Sequence, residues 1–566
     1  MNNTYNNPTV KFPFKGDGPR VLLIRLPYSY EIYHSTYKNK FKVGDKQVEP
    51  PLALMQIGSY ALKSGADIRI IDGEAENLSL SEITERVLIY QPDIVGITST
   101  TPESEGVMIL SQKIKDIMPK VITVAGGAHA THVPWKFLEE SNVIDYVIMY
   151  EGEKSFSALV KNDTELLNEY TMNARLLLEE KGVTYKKYFS KILLGPSMSA
   201  NELDENLALR EEPYIDSSHY YHAHPSFGLV KLESIETARG CPFGCTFCSS
   251  ARSGLGQRSV EGVLEEIVYI NSLLKKKQEK GCILFLDDTL TVNRARSIEI
   301  FEGMLKRQIN VDFKSFTRAN TIATKNGINE DIKFARLMKK AGSSILSFGI
   351  ESGSEKINAD MQKNVSLDDY RNAYKILEIV GFEERRGSFI VGHPFESEEN
   401  IKESIDFALE LKLQRIGVNI MTPYPGTKVY EYAQEGKGIY FEENANDYSQ
   451  YLRWGKSVVS TEYLSAKDLE LWHKKFLMKV YSSYHPLRHS VMSALGGNLS
   501  GYFHRPVIKA LKQRTQMYFK NNGSGNETVD HSRYNHKKWG DPHITKQDCI
   551  EVLSRLYGMK RSRVQI

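Results

Sequence analysis

Three cysteines lie close together near the middle of a chain of 566 residues. Cys241, Cys245 and Cys248 follow the spacing C-x3-C-x2-C in the run that begins Ala238-Arg-Gly-Cys-Pro-Phe-Gly-Cys. A loop this short can fold three thiolates around one metal centre. Three thiolates leave a 4Fe–4S cluster one ligand short, so the fourth iron keeps an open coordination position where a ligand can bind and receive an electron.

A structural zinc site is the alternative for these cysteines, although zinc takes four ligands and commonly uses paired C-x2-C units. The other two cysteines, Cys282 and Cys549, are distant in sequence, and the nearest histidines, His222 and His224, precede a predicted strand. Disulfides are not expected, because five cysteines are a sparse and odd set and no signal peptide is predicted. A reducing, cytoplasmic environment is expected, because an exposed cluster requires one.

The elements around the cysteines form an α/β pattern that would position them. Strand-like and helical runs alternate from Glu233 to Ile420, and six such repeats predict an open, partial (β/α)6 barrel. Ligands of such barrels bind at the carboxyl ends of the strands. Polar clusters follow the predicted strand ends, namely the cysteine loop, Asp287-Asp288, Thr317-Arg318, Gly349-Ile-Glu351-Ser-Gly353 and Gly392-His-Pro394.

The first part of the chain has its own alternation of strands and helices. Apolar runs that begin at Val21, Ile68, Ile94, Val121 and Tyr146 predict five buried parallel strands with helices between them. This pattern predicts a doubly wound parallel sheet of the Rossmann-like kind, in which ligands bind beyond the carboxyl ends of the strands. Polar and small residues follow three of these ends; they are Thr98, Ser99, Gly126, Gly127, His129, Glu151 and Gly152.

The predicted organisation is a lead-in over 1–18, an α/β domain over 19–160, a linker of helices and loop over 161–225, the barrel over 226–440 and a mostly helical C-terminal extension over 441–566. A helix is expected over 133–140 in the first domain. Another is expected over 464–484, covering the mouth of the barrel.

Composition argues against several other classes of protein. Hydrophobic residues make up 41% of the chain, which is enough for large cores. The formal net charge of +3 gives no indication of nucleic-acid binding, and no run reaches the about 18 apolar residues of a membrane-spanning helix. A basic run over 505–520 is typical of a solvated amphipathic helix, with a peripheral membrane contact as the alternative.

The cysteine run resembles the cluster motif of radical S-adenosylmethionine (SAM) enzymes, including the aromatic Phe247 before the last cysteine. The run Gly-Ile-Glu351-Ser-Gly353-Ser resembles the same family. The strand ends of the first domain, with Pro50-Pro51 before the first helix, resemble the cobalamin-binding domain that precedes the barrel in class B members. The resemblance implies a 4Fe–4S cluster on the three cysteines, and cobalamin at the strand ends that carry the seven residues named above. It implies SAM contacts from Phe247, Arg318, Glu351 and Gly353.

The resemblance also implies an activity. The cluster would cleave SAM to a 5′-deoxyadenosyl radical, with electrons from a reductant such as flavodoxin or ferredoxin. Most class B members then methylate an unactivated carbon or phosphorus of a small molecule, lipid or peptide. Oxidation, cyclisation or rearrangement without methylation is the alternative among enzymes, and a non-catalytic cobalamin- or SAM-binding sensor is the alternative of another class. The D-x-H-x-x-G motif of other cobalamin domains is absent, which implies cobalamin held without a protein histidine ligand.

Overall fold

The structure, a computed structural model, describes residues 18–27, 48–139, 142–183, 186–224, 227–324, 327–382 and 384–484. Residues 1–17 of the lead-in, the basic run over 505–520 and Cys549 lie outside the described residues. The predicted fold class is confirmed, because a doubly wound parallel sheet precedes a second sheet that carries an outer layer of helices. No helix in the described part of the chain is both long and apolar enough to cross a bilayer.

The first unit is a six-stranded, all-parallel sheet with helices between its strands. Its strands are β1 (Arg20–Arg25), β2 (Asp67–Asp72), β3 (Ile94–Thr98), β4 (Ile122–Gly126), β5 (Tyr146–Tyr150) and β6 (Ile192–Gly195). Its helices are α1 (Leu52–Lys63), α2 (Leu80–Tyr90), α3 (Ser104–Ile117), α4 (Ala128–His132), α5 (Lys136–Glu139), α6 (Glu153–Lys161) and α7 (Thr164–Glu180). The strand order β2-β1-β3-β4-β5-β6 puts a topological switch point beside β1.

Alternate residues of each strand in this sheet enter two different hydrophobic cores. On β1, Val21 packs in one core and Leu22 in the other. Successive side chains of a strand point to opposite faces, so both faces of a parallel sheet must be covered. The core that contains Val21 also contains Leu232 and Leu284 from the second unit, so the two units share a hydrophobic core.

The second unit follows helix α8 (Ala200–Glu205) and is a seven-stranded sheet. Its strands and the short pairs beside it are β7 (Tyr221–His224), β8 (Gly228–Ile235), β9 (Ala238–Arg239), β10 (Gly256–Gln257), β11 (Gly281–Phe285), β12 (Asp312–Thr317), β13 (Ser343–Glu351), β14 (Arg386–Val391), β15 (Arg415–Ile420), β16 (Ile439–Phe441) and β17 (Val459–Thr461). The sheet has the order β15-β14-β13-β12-β11-β8-β7, and only β7 is antiparallel to its neighbour.

Helices cover one face of the second sheet. They are α9 (Val260–Lys276), α10 (Arg294–Lys306), α11 (Ala319–Ile322), α12 (Ile328–Lys340), α13 (Glu355–Asp360), α14 (Leu367–Val380), α15 (Glu398–Glu410), α16 (Lys428–Glu435) and α17 (Ala466–Tyr484). Phe313 of β12 points to this outer layer, where its ring lies 5.7 Å from that of Phe301 in α10. Phe316 lies on the opposite face of the same strand and is 53% exposed.

Two strands of the two large sheets were not expected. β6 joins the first sheet beside β5, although the segment over 161–225 is predicted to be a linker of helices and loop. Its four residues, Ile192-Leu-Leu-Gly195, are too short a run to be distinguished from an apolar loop. β7 has the sequence Tyr-His-Ala-His, which lacks the apolar alternation of a strand.

The helix predicted over 133–140 is confirmed only in part, because α5 covers Lys136–Glu139 and begins three residues later than predicted. The chain forms two short helices there, α4 and α5, and Val133 and Pro134 lie between them. Proline lacks a backbone N–H and disfavours helical geometry in the residue before it, so a helix cannot run through this point.

Helix α17 does not cover the barrel mouth as expected. It packs on the outer face of β14 and β15, where Phe476 lies 4.9 Å from the ring of Phe389. His473 Nε2 lies 2.9 Å from the backbone oxygen of Val418 on β15. The helix therefore extends the outer helical layer past the last strand.

Replacing Gly127 by alanine is expected to destabilise the first unit by about 2–4 kcal/mol. Gly127 has φ +95° and ψ −169°, and an added Cβ would lie 2.6 Å from the backbone oxygen of Ser99. Gly182→Ala is the matched control, because Gly182 has φ +74° but nothing within 4 Å of an added Cβ, and it should cost about 1 kcal/mol. Urea unfolding followed by circular dichroism measures both. Equal losses would contradict the predicted clash.

Candidate functional site

The three cysteines lie on a loop at the carboxyl end of β8, the first parallel strand of the second sheet. Gly240 has φ +86°, and an added Cβ there would lie 2.3 Å from the backbone oxygen of Gly254. Only glycine allows this close approach of the two arms of the loop. The Cys241 N–H donates to Ser253 Oγ at 3.0 Å, so local hydrogen bonds hold the loop closed.

The thiols of this loop are free of disulfides. Burial, together with the charges of Asp288, Cys245 and Cys241, raises the pKa of Cys248 to about 11. Burial also raises the pKa of Cys241. Three thiolates would therefore repel one another here unless a cationic metal centre stood between them. This donor set fits a 4Fe–4S cluster, in which each thiolate binds a different iron.

Arg318 lies at the carboxyl end of β12 and is 5% exposed. Its guanidinium carbon is 3.8 Å from the centre of the Phe243 ring, and its Nη1 is 3.7 Å from Cys245 Sγ. Nη2 donates to the backbone oxygen of Lys363, and Nε has no hydrogen-bond partner among the described residues. Sequence reasoning pairs Arg318 with the SAM carboxylate. In the structure its positive charge lies beside the Cys245 thiol of the loop.

Glu351 ends β13 in a strained conformation. Its φ is +67°, and the pairing of β13 with β14 shifts register between Gly349 and Glu351. The side chain folds back over Gly349, where an added Cβ would lie 2.2 Å from Glu351 Oε1. The same oxygen accepts a hydrogen bond from Lys363 Nζ at 2.9 Å, and the two side chains are only 10% and 8% exposed. Lys363 is a site residue that sequence reasoning missed.

A turn after α13 holds Lys363 beside the cysteine loop. The Thr246 N–H of that loop donates to the backbone oxygen of Met361 at 3.0 Å. Gln362 and Asn364, on either side of Lys363, have φ of +52° and +54°. The only sequence signal for Lys363 was its position in the turn that follows the Gly-Ile-Glu-Ser-Gly run.

Gly353 packs against helix α15, in contrast to the predicted contact with SAM. Its N–H donates to Ser404 Oγ at 2.8 Å, and an added Cβ would lie 2.6 Å from Ser404 Cα. Glycine is needed here so that the chain can approach the helix. Phe247 is partly buried against the core of the second unit, and its contact with the SAM adenine stays a prediction.

The carboxyl edge of the first sheet brings together Thr98, Ser99, Gly126 and Gly127. The Ser99 N–H donates to the backbone oxygen of Gly126 at 3.0 Å and joins the ends of β3 and β4. The nearest atom to an added Cβ on Gly126 is 4.0 Å away, and Ser99 Oγ is buried without a hydrogen-bond partner among the described residues. A bare backbone edge with an unpaired hydroxyl fits the polar rim of a large ligand such as a corrinoid.

His129 is buried, in contrast to the predicted contact with cobalamin. It is 2% exposed, and its ring lies edge-on to Phe137 and Tyr448 at centroid distances of 5.4 and 4.9 Å. Its Nδ1 lies 3.3 Å from Thr101 Oγ1. Burial lowers its pKa to about 3, so the ring is a neutral part of the core. Gly152 also packs inward, since an added Cβ would lie 3.0 Å from Ile57.

Glu151 is likewise engaged elsewhere, because it binds Arg239, the residue two before Cys241. Arg239 Nη1 donates to Glu151 Oε2 at 2.8 Å, Nη2 donates to Glu153 Oε1 at 2.7 Å and Nε donates to Glu236 Oε2 at 2.7 Å. Two of these carboxylates belong to the first unit and one to the second. We call these four residues the interdomain clamp. The clamp joins the carboxyl edge of the first sheet to the cysteine loop.

Comparisons with known proteins agree with this arrangement. Residues 235–408 match the family model of the Radical SAM superfamily, and residues 45–160 match that of the B12 binding domain. The chain is 31% identical over 445 residues to an uncharacterized methyltransferase of Pyrococcus horikoshii, an alignment that covers 77% of this chain and 88% of the relative. The chain belongs to the class B, cobalamin-binding radical SAM enzymes.

More distant relatives and solved structures share the same architecture. The anaerobic magnesium-protoporphyrin IX monomethyl ester cyclase of Rubrivivax gelatinosus is 27% identical over 387 residues, which cover 68% of this chain and 66% of the relative. The radical SAM methyltransferase TsrM of Kitasatospora setae superposes with a TM-score of 0.59 at 14% identity, covering 88% of this chain and all of TsrM. The cobalamin-dependent radical enzyme OxsB superposes with a TM-score of 0.56 at 17% identity, covering 95% and 78%. These structural matches support the fold.

Family membership gives this radical SAM enzyme its cofactors, which are a 4Fe–4S cluster, SAM and cobalamin. Enzymes of this family act on small-molecule or peptide substrates and need a reductant. The predicted family, enzyme class and cofactors are therefore confirmed.

Changing any one of Cys241, Cys245 and Cys248 to serine is expected to abolish stable binding of the cluster, because each iron that lacks its thiolate exposes the cluster to solvent. Iron and sulfide analysis with absorption spectra after anaerobic reconstitution measures this loss. Cys282→Ala is the matched control, since Cys282 is fully buried on β11 and should not affect iron content. Full iron content in a serine variant would contradict the assigned ligand.

Arg239→Gln is expected to loosen the contact between the two units while the cluster stays bound. The substitution leaves three carboxylates without their cation, and Glu153 is only 4% exposed. Breaking such a buried pair costs about 3–5 kcal/mol. The magnetic coupling between cob(II)alamin and the reduced cluster, measured by electron paramagnetic resonance, should weaken or broaden. Arg307→Gln is the control, because it removes an ion pair with Glu261 on the outer surface. Identical coupling in Arg239→Gln and the unchanged enzyme would contradict the clamp's role.

Proposed function

We propose that this enzyme is a cobalamin-dependent methyltransferase that modifies an unactivated carbon or phosphorus centre of a small molecule, lipid or peptide. The interdomain clamp is the observation that carries the proposal. Arg239 joins Glu151 and Glu153 of the first unit to the start of the cysteine loop. In parallel sheets ligands bind at the carboxyl ends of the strands, so the clamp supports a corrinoid and SAM that face one substrate.

We assign roles to the residues at the two edges. Cys241, Cys245 and Cys248 bind three irons of the cluster, and Glu351 accepts hydrogen bonds from the ribose hydroxyls of SAM. Arg318 and Lys363 are the cations within reach of the SAM carboxylate. The buried Lys363 pairs with Glu351 in this structure. Binding of the ribose to Glu351 would free the ammonium group of Lys363.

The first-unit edge holds the corrinoid through Thr98, Ser99, Gly126 and Gly127. Of these, Ser99 Oγ is the hydroxyl that lacks a partner among the described residues. The D-x-H-x-x-G motif of other cobalamin domains is absent, and His129 is buried in the core. These observations support a corrinoid that is held without a histidine ligand from the motif or from His129.

When bound, the cluster supplies one electron that cleaves SAM, and the corrinoid supplies the methyl group. The chain's own residues bind, orient and exclude water. Arg318 places a positive charge beside Cys245, and Tyr370 fixes the strand under the Glu351 side chain by donating from its hydroxyl to the Gly349 oxygen at 2.7 Å. Holding both reacting groups against one substrate makes the transfer effectively intramolecular.

Cyclisation or oxidation without methylation is the second candidate function. The similarity to magnesium-protoporphyrin cyclases at 27% identity favours it. The same two edges would serve it, because hydrogen abstraction needs only the SAM side. The sensor alternative loses support, because the chain belongs to an enzyme family and has all three cluster cysteines.

We also propose a cytoplasmic location and flavodoxin or ferredoxin as the electron donor, because an exposed cluster needs a reducing compartment. The peripheral membrane contact considered for the basic run concerns residues 505–520, which lie outside the described part of the chain. Nucleic acid is not an expected partner at a net charge of +3.

Anaerobic enzyme that has been reconstituted with iron and sulfide and loaded with cobalamin is incubated with methyl-deuterated SAM and a reductant. Methyl transfer predicts 5′-deoxyadenosine and recovery of the deuterated methyl group in the corrinoid fraction by mass spectrometry. Both products should disappear in Cys245→Ser.

Formation of 5′-deoxyadenosine with no label in the corrinoid would overturn the methyltransferase proposal and favour the non-methylating alternative. Loss of cobalamin on gel filtration would contradict the corrinoid role of the first sheet.

A further inference from the structure

The concave face of the second sheet is open over its last four strands. Phe316 lies on β12, which has a strand on each side, yet 53% of its surface is exposed. A side chain on a central strand can be exposed to that extent only where none of the described residues covers the face. Near β8 and β11 the same face is closed, because Leu232 and Leu284 are buried in the core shared with the first unit.

Small polar residues and glycines line the open part. Ser347, Ser388 and Gly417 alternate with the buried residues of their strands, and none of the three is buried. The nearest atom to an added Cβ on Gly417 is Ser388 Cβ at 3.8 Å, which puts both residues on one face. The wall beside Phe316 therefore carries small side chains that are not buried.

Three cations lie at the amino-terminal end of this wall. Lys314 is two residues before Phe316 on β12, and Arg386 and Arg415 pair with each other across β14 and β15. Strand alternation puts all three on the concave face. Lys314 precedes Arg318 by four residues, which is about 13 Å along the strand at about 3.3 Å per residue.

The carboxylates beside Lys314, Arg386 and Arg415 leave some N–H donors of these three cations available to a ligand. Glu384 serves both arginines, accepting from Arg415 Nε at 3.0 Å and from Arg386 Nε at 2.6 Å. One carboxylate cannot neutralise two guanidinium groups. Lys314 lies 3.5 Å from Glu49, whose side chain is 46% exposed at the edge of the first unit.

Electrostatic effects indicate that the cations converge. The pKa of Arg386 is lowered by burial and by the charge of Arg415. The pKa of His222 is lowered to about 3, first by burial and then by Lys314, Arg386 and the other cations of this end. His222 is on β7 and Arg415 on β15, the two edges of the sheet, so the sheet curls until its edges approach at this end. Asp312 also lies here, 3.5 Å from His224.

We propose that Lys314, Arg386 and Arg415 form a subsite for an anionic group of the substrate, a carboxylate or a phosphate. Phe316 and the small residues beside it contact the body of the molecule, which extends from the anionic end toward the cluster side of the barrel. Arginine forks and an ammonium group suit such anions, because charge-assisted hydrogen bonds to them are the strong ones. The inference deepens the proposed function and rests on it for the identity of the reaction, although binding of the anion requires no turnover.

The test uses the full chain loaded with cluster and cobalamin, in low-salt buffer, with hexyl phosphate and hexanoate as probes. Isothermal titration calorimetry should detect binding of at least one of them, and hexylamine should not bind. Lys314→Gln and Arg415→Gln should each weaken binding about tenfold, as expected for loss of a charged hydrogen-bond donor. Lys428→Gln is the control, because Lys428 pairs with Glu431 on an exposed helix and should leave binding unchanged.

The choice of probe identifies the anion, since tighter binding of hexyl phosphate favours a phosphate and tighter binding of hexanoate a carboxylate. Failure of both probes to bind, or equal affinity in the two variants and the control, would overturn the subsite. Unfolding midpoints of the variants show whether they are folded. Production of 5′-deoxyadenosine and corrinoid labelling, measured on the same samples, report separately on the proposed function.

Discussion

The guanidinium group of Arg239 fixes how the two units face each other, and a site shared by both units depends on this contact. The shared core around Leu232 and Leu284 supplies apolar burial, but the hydrophobic effect has no direction and does not orient one sheet edge toward another. Charge-assisted hydrogen bonds do have direction. Because Arg239 is adjacent to the Gly240 turn and binds Glu151 and Glu153 of the first unit, the cysteine loop can lie only where the carboxyl edge of the first sheet also lies.

The fold could be predicted wherever a short stretch of sequence by itself indicates a strand or a helix. Parallel strands that are buried on both faces form apolar runs, so most strands of both sheets were found within two residues. The exceptions have physical causes. β6 has four residues and is stabilised by pairing with β5 and by burial of Ile192 and Leu193, which no local pattern reveals. The break at Pro134 is the opposite case, because there a local steric rule prevails over an apolar pattern of helical spacing.

The site was predictable only in part. Cysteines on one short loop must be close in space, so their spacing was sufficient. Glu151 and His129 also follow strand ends, yet one pairs with Arg239 and the other is buried beside Tyr448. Position at a strand end says which edge a residue occupies and does not say which way its side chain turns. Lys363 was missed because its partner Glu351 is twelve residues away, on the other side of helix α13, and no local pattern predicts that the two side chains meet.

The two kinds of recognition in this enzyme are therefore distributed differently along the chain. The proposed cofactor contacts cluster in loops that directly follow single strands, where one short motif contains most of the residues concerned. The concave face gathers Lys314, Phe316, Arg386 and Arg415 from three strands separated by long helical connections. No short sequence motif can identify residues that lie on three separate strands. The proposed substrate subsite consists of side chains that the sheet brings together from these three strands, so it can differ between relatives that share the cysteine loop.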